Sequence, residues 1–460
     1  MVGSPVAERR VTLCLITLCV LGGCGDNPVM MMQTATLTAA ELTNPDTCKT
    51  CHATHYQQWA GSMHAYASED PVFRAMNARG QRETKGALGS FCVSCHAPLA
   101  VRSGATTDGL NLDSVEKELH GVTCYFCHTV DEVTDSHNAP LHQGDAVTMR
   151  GGISDPFGNT AHHSSYSRLH DRQDPSSASL CGSCHDIVNP LGAAIERTYH
   201  EWQGTVYAQP ATTTLRTCGK CHMSGTTGAV AEVTGAPTNR LFHDHTIDGI
   251  DVALSTFPST DTQLAAINND LTTALSARLC VTPAQNDTTI AVTLDNVAIG
   301  HGFPSGANQD RRAWVEVIAY QGTNAMYSSG VVQGGSDVTT LVDPSLWLFR
   351  DTMLDAAGKP VDMFWEAASY QSSQLAASVT NDPNDPRYYH AVTHNYTAPN
   401  QQPDRVTMRV RIRPIAVGVI DDLVQSGDLD ASVQGKLPTF DLAGTVLEWK
   451  KSNGFGCVPF

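Results

Sequence analysis

Basic residues are scarce in this 460-residue chain: Lys plus Arg number 29 against 46 Asp plus Glu, a formal charge of −17. That balance argues against gripping a nucleic-acid backbone, which needs many phosphate-neutralising cations, and against adsorption to anionic lipid. Long apolar runs are equally scarce. The best one, Val11 to Leu21, falls short of the roughly 20 residues a membrane-crossing helix requires. Charged residues make up 16% and apolar residues 41%, so the chain lacks both the charge density of a disordered polymer and the repetition of a fibre. No Ser-His-Asp arrangement, phosphate loop or zinc motif can be placed in it. At roughly 150 residues per domain, the length predicts about three folded units.

Cysteine is the residue present in excess. Ten of the 15 fall into five copies of one pattern: Cys48, Cys51 and His52 in CKTCH; Cys92, Cys95 and His96 in CVSCH; Cys124, Cys127 and His128 in CYFCH; Cys181, Cys184 and His185 in CGSCH; Cys218, Cys221 and His222 in CGKCH. Two thiols three positions apart on a tight turn can add to the two vinyl groups of one haem, and the adjacent histidine is then carried beneath the iron. The pattern predicts five c-type haems, with the ten cysteines as attachment points and the five histidines as proximal iron ligands. Zinc sites and thioredoxin-like pairs also use CxxC. Neither calls for histidine directly after the second cysteine five times over.

The N-terminus reads as an export signal. Arg9 and Arg10 precede the short apolar run, and Leu21-Gly22-Gly23-Cys24 follows it. This predicts a signal peptide over residues 1–23, whose removal leaves Cys24 as an acylated N-terminus. The expected location is outside the cytoplasm, in a bacterial periplasm or at the cell surface, with the chain lipid-anchored to a membrane. Cys14 and Cys19 leave with the signal, so Cys280 and Cys457 remain as a pair. In an oxidising compartment they predict a disulfide.

Composition divides the rest of the chain. Residues 24–45 carry almost no charge and no period, as a tether would. Residues 46–250 hold every motif and eleven of the fourteen other histidines, and are read as a pentahaem domain in which haem supplies much of the core. Within 251–279, Leu264, Ile267, Leu271 and Leu275 recur at helical spacing and predict a linking helix. From 280 to 460 the period becomes two. Ile290, Val292 and Leu294 alternate with polar residues, as do Val406, Met408, Val410 and Ile412; Trp314, Glu316 and Ile318 do so less cleanly. Further short strands are expected near 329–333, 346–350, 361–365, 388–394 and 443–450, with a helix around Ile415 to Leu423. The predicted fold class is multidomain: a mainly α and irregular, haem-packed N-terminal region plus an all-β, sandwich-like C-terminal domain.

The stretch CKTCHATHYQQWAGSMHA resembles the opening of multihaem cytochromes c related to the tetrahaem electron carrier of ammonia oxidisers and to hydroxylamine oxidoreductase. HGVTCYFCH, HHSSYSRLH ahead of LCGSCHDIVNP, ERTYHEW and TCGKCHM are similar to later haem segments of that wider family. The resemblance covers residues 46 to about 250. It implies distal ligation by His64 in the W-x-x-S-x-H-A phrase and by His120, His163 and His170 ahead of haem motifs. The pair in LFHDHTIDG implies His245, with His243 as its rival. His55, His137, His142, His162, His200 and His301 are reserves. The phrase NVAIGHGFPSGANQDRRAWVEV resembles a β-domain phrase accompanying some of these cytochromes.

The resulting expectation is a protein that moves electrons along five haems among redox partner proteins of the envelope, more an electron carrier than a substrate-converting enzyme. The alternative is an oxidoreductase with one open haem acting on a small nitrogen or sulfur compound. Two departures weaken any catalytic carry-over. The octahaem relatives have more haems, and pentahaem nitrite reductases replace one motif histidine by lysine and end in helices.

Overall fold

The computed structural model describes residues 36–210, 213–257, 259–283, 285–399, 402–454 and 456–458. The expected signal peptide, Cys24 and the first half of the tether lie outside the described residues.

From Ala39 to about residue 250 the chain is a string of short helices joined by turns. The longest helix in this part, Pro71–Glu83, shows why it forms: Asp70 accepts the Val72 N–H, Pro71 occupies the first turn, and Val72, Phe73 and Ala75 bury one face. Four two-stranded ribbons interrupt the helices, among them Ile187–Val188 with Ala194–Glu196 and the parallel pair Thr148–Gly151 with His163–Tyr166. Apolar clusters here are small. One gathers Phe73, Val93, Ala97, Ala100, Leu112 and Val115, and another Leu99, Phe126, Val130 and Leu141. So little apolar burial over some 200 residues leaves much of the core to be supplied by something other than side chains.

The linking helix spans Thr260–Asp270, shorter than its apolar spacing suggests. Leu271, Leu275 and Leu279 continue the i, i+4 pattern, yet Ala277, Leu279 and Val281 also alternate. Strand pairing wins. Ser276–Pro283 lies antiparallel to Thr288–Asp295 over eight residue pairs.

Two antiparallel sheets dominate the C-terminal part. Four strands run in the order Val392–Ala398, Thr288–Asp295, Ser276–Pro283 and Gly456–Val458. The second sheet centres on Arg312–Gln321 paired with Arg405–Arg413, flanked by Asn324–Ser329, Leu348–Phe349, Phe440–Asp441 and Leu447–Lys450. Leu279, Val281, Ile290, Val292 and Leu294 of one sheet share a core with Val315, Val317, Val406, Met408 and Val410 of the other. The helix Val417–Gln425 closes this core with Val419, Ile420 and Leu423. A disulfide joins Cys280 to Cys457, which stand opposite each other in the first sheet.

The two parts are packed together. Val72 and Ala75 from Pro71–Glu83, and Val252 and Leu254, belong to the same core as the sheets. Arg79 binds Asp422 at 2.6 Å, Arg82 binds Asp428, and buried Arg197 binds Asp351 at 2.7 Å. Among the described residues no helix is long and apolar enough to cross a membrane.

Candidate functional site

Each CxxCH motif is wound into a helical turn, which puts positions i, i+3 and i+4 on one face. The His52, His96 and His185 N–H groups donate to the carbonyls of Cys48, Cys92 and Cys181 at 2.8, 3.4 and 3.0 Å. The other two motifs open the helices Cys124–Thr129 and Cys218–His222, where Thr123 and Thr217 accept the N–H of Phe126 and Lys220. Local sequence therefore presents two thiols and an imidazole together, five times.

The histidine rings are oriented in one consistent way. Nδ1 of His52 bonds the Val230 carbonyl at 2.6 Å, that of His96 the Ala67 carbonyl at 3.1 Å, and that of His222 the Asp248 carbonyl at 2.7 Å. His128 does the same with Arg150. A carbonyl only accepts, so Nδ1 carries the proton and Nε2 keeps a bare lone pair. His185 departs in one respect: its Nδ1 faces the Glu196 carboxylate, with Oε1 at 3.1 Å. A ring held through one nitrogen and bare at the other is how proteins prepare a metal ligand. The five donor sets fit c-type haem.

An iron between two imidazoles needs about 2 Å to each nitrogen and about 1.2 Å more to each ring centre, so the rings stand roughly 6.3 Å apart. Among the described residues three pairs come nearest this spacing, with His55, 6.0 Å from His52, the next. His64 lies 6.2 Å from His185, His162 lies 6.4 Å from His52, and His245 lies 6.3 Å from His128. His162 and His245 also have Nδ1 tied to a carbonyl, at His163 and His243 respectively. Burial, reinforced by His185, lowers His64 to about 4, and burial, reinforced by His170, lowers His128 to about 3. Neutral, ligand-ready rings result.

The remaining expected ligands are placed differently. His170 stacks beside His128 at 5.5 Å, short of the iron-spanning distance, and its Nε2 bonds the Cys127 carbonyl at 2.9 Å. His163 pairs with Thr148 in the parallel ribbon, and it is the neighbouring His162 that meets His52. His120 has both nitrogens engaged, Nδ1 with Glu69 and Nε2 near the Val115 carbonyl at 3.2 Å. His96 finds no histidine at iron-spanning distance among the described residues; its ring stacks on Phe73. His301 lies within electrostatic reach of His222. Its loop is fastened to the haem-motif region through Glu201, which accepts from Gly302 N at 3.0 Å and from Ser305 Oγ at 2.7 Å. Neither His162 nor His301 stands out in the sequence, because their partners are set by a ribbon register and by one distant carboxylate.

The loop bearing His64 is locked to the third motif. Val122 N bonds the His64 carbonyl at 2.8 Å, and Trp59 Nε1 bonds the Val122 carbonyl at 2.8 Å. Gly121, at φ +66°, sits where a Cβ would meet the Ala65 carbonyl oxygen at 2.6 Å, so only glycine fits this approach. Motifs are also neighbours. The Cys48 thiol interacts with Cys124, Cys95 with Cys184, and Cys181 with Cys218. Cys127 lies within electrostatic reach of both Cys181 and Cys184. The fourth motif is thereby the junction, adjoining the second, third and fifth.

Known proteins place this arrangement. Residues 47–129, which contain the first three motifs, match the family described as Cytochrome c554 and c-prime. A solved structure of a penta-heme cytochrome c552 from Thermochromatium tepidum superposes with a TM-score of 0.61 at 19% identity, covering 89% of this chain and 99% of that one. The fold is that of a multihaem cytochrome c. The likeness extends to the β-rich half, since nearly the whole of both chains is aligned. No curated protein sequence matches the chain.

Proposed function

We propose that this multihaem cytochrome carries five c-type haems, bound through Cys48 and Cys51, Cys92 and Cys95, Cys124 and Cys127, Cys181 and Cys184, and Cys218 and Cys221, and that it conducts electrons along them. One observation carries the reading: all five motif histidines have Nδ1 engaged, four by a backbone carbonyl and one by a carboxylate. Haem iron supplies a one-electron couple when bound. The chain's own contribution is to hold the groups close, exclude water and fix each ligand.

Haem iron would be held by His52 with His162, by His128 with His245 and by His185 with His64, the pairs at iron-spanning distance, and at the fifth motif by His222, with His301 within electrostatic reach. His170 stands in reserve beside His128. In this reading the protein is exported and lipid-anchored through Cys24 and exchanges electrons with envelope redox proteins, whose contact faces complement its negative charge. The test is a haem count by pyridine haemochrome with a potentiometric titration, on protein made in a host that matures c-type haems. Five haems per chain, all reducible through one another, is the expected result. Fewer than five refutes the assignment.

A second reading is favoured by one specific observation. His96 faces no distal histidine among the described residues, and His120, with Glu69, lies at the edge of the apolar cluster around it. An open haem at the second motif would bind a small nitrogen or sulfur compound. Binding of nitrite or hydroxylamine to one haem in five, followed by its chemical conversion, would favour this enzyme over a pure conductor.

A further inference from the structure

Four motif histidines donate Nδ1–H to backbone carbonyls, which are neutral dipoles. His185 alone donates to a carboxylate, Glu196. The Glu196 side chain is only 14% exposed, and its sole ion-pair partner among the described residues is His185 itself. The adjacent Arg197 does not neutralise it, because that guanidinium is turned to Asp351 at 2.7 Å and Gln374 at 3.0 Å.

The backbone that carries this carboxylate is also fixed. Glu196 ends a ribbon in which Ile187, two residues after His185, stands opposite it. The turn of that ribbon is pinned by Asn189, whose Oδ1 accepts from Leu191 and Ala193 and whose Nδ2 donates to the Phe364 and Ala367 carbonyls at 2.7 Å. The backbone at Glu196 is thus anchored, through the ribbon, to the C-terminal half. Its negative charge is felt at Cys184 of the fourth motif and at Cys95 and His96 of the second.

Oxidised haem iron carries one more positive charge than reduced iron. A buried anion beside it favours the oxidised state, and a carboxylate on Nδ1–H makes the imidazole a stronger donor to the metal, which acts in the same direction. We propose that Glu196 sets the potential of the haem at the fourth motif below those of the other four, making the junction of the chain the last site to be reduced. It is a positioning and tuning residue, since it acts through His185. This inference rests on the haem assignment proposed above.

The haem-loaded, full-length protein provides the test. Glu196→Gln keeps an amide oxygen for Nδ1–H while removing the charge. With five haems retained, the lowest of the five potentiometric waves should rise by about a tenfold change in reduction equilibrium, which is about 59 mV for one electron. The low-spin resonance of the same haem should shift in g value. Glu196→Asp withdraws the carboxylate by one methylene and should move that wave upward by less, which keeps the test open if the glutamine variant does not load haem. Unmoved waves in either haem-loaded variant, or movement of a wave other than the lowest, overturn the role of Glu196 and leave the haem assignment standing. Unmodified protein purified with fewer than five haems would instead overturn the assignment beneath it.

Discussion

His96 lies face to face with Phe73, their ring centres 4.0 Å apart and their planes 5° from parallel. Stacking on an aromatic face fixes the plane of the imidazole, and with Nδ1 on the Ala67 carbonyl it fixes the direction of Nε2 as well. The ring is held in place, but among the described residues it lacks the histidine at iron-spanning distance that His52, His128 and His185 each have.

Eleven spare histidines for five irons lead the sequence to predict five six-coordinate haems. The ring pairs instead predict one high-spin haem in the oxidised protein, seen by electron paramagnetic resonance and assignable to the second motif. Alanine at His64, His162 or His245 should each add one further high-spin haem, whereas His120→Ala should add none. Five low-spin haems in the unmodified protein would show that a side chain moves onto the second iron.

The Cys280–Cys457 bond closes a sequence separation of 177 residues. In the chain-entropy account, a loop of that length stabilises by roughly 5 kcal/mol before strain is subtracted. Replacing both cysteines by serine should lower the denaturant midpoint accordingly without altering the haem count. An unchanged midpoint would mean that the denatured chain is already compact there.

Burial raises the Asp70 carboxyl to about 6, against about 3.9 in an unfolded chain. Between those values the unfolded state releases its proton first, so stability falls as pH rises from about 4 to about 6 and is then level. The loss is roughly 2–3 kcal/mol from the size of the shift. Asp70→Asn keeps an oxygen for the Val72 N–H and should flatten this dependence. Denaturant midpoints at pH 4.5 and pH 7 measure it, and an equally sloped variant would clear Asp70 of the effect.

Cys24→Ala should release the protein from membranes during fractionation, because no helix among the described residues can hold it there and several acyl chains are needed for stable anchoring. Undiminished sedimentation with membranes would refute acylation at this position.

Much of the architecture is legible in the sequence. The CxxCH turns can be read because the chemistry fixes residue types at fixed offsets. Thr288–Asp295 and Arg405–Arg413 can be read because each buries one face and leaves alternate residues polar. The Cys280 pairing follows from elimination of every other thiol. Anything decided by a non-local contact escapes. Between His162 and His163, adjacent and chemically identical, the choice depends on which one the ribbon to Thr148 turns toward His52. His301 owes its place to Glu201, a hundred residues earlier. Leu279 satisfies both a helical and an extended period, and only its pairing with Val292 of Thr288–Asp295 decides between them.

The contacts between motif thiols have a consequence for biogenesis. Cys48 and Cys124, Cys95 and Cys184, and Cys181 and Cys218 lie close enough to interact in the folded chain, and thiols so placed in an oxidising compartment cross-link by disulfide exchange. A chain that compacted before its cysteines were capped would join one motif to another and forfeit both. Capping ahead of collapse avoids that loss, and residues 46–250 hold only small apolar clusters of their own to drive collapse.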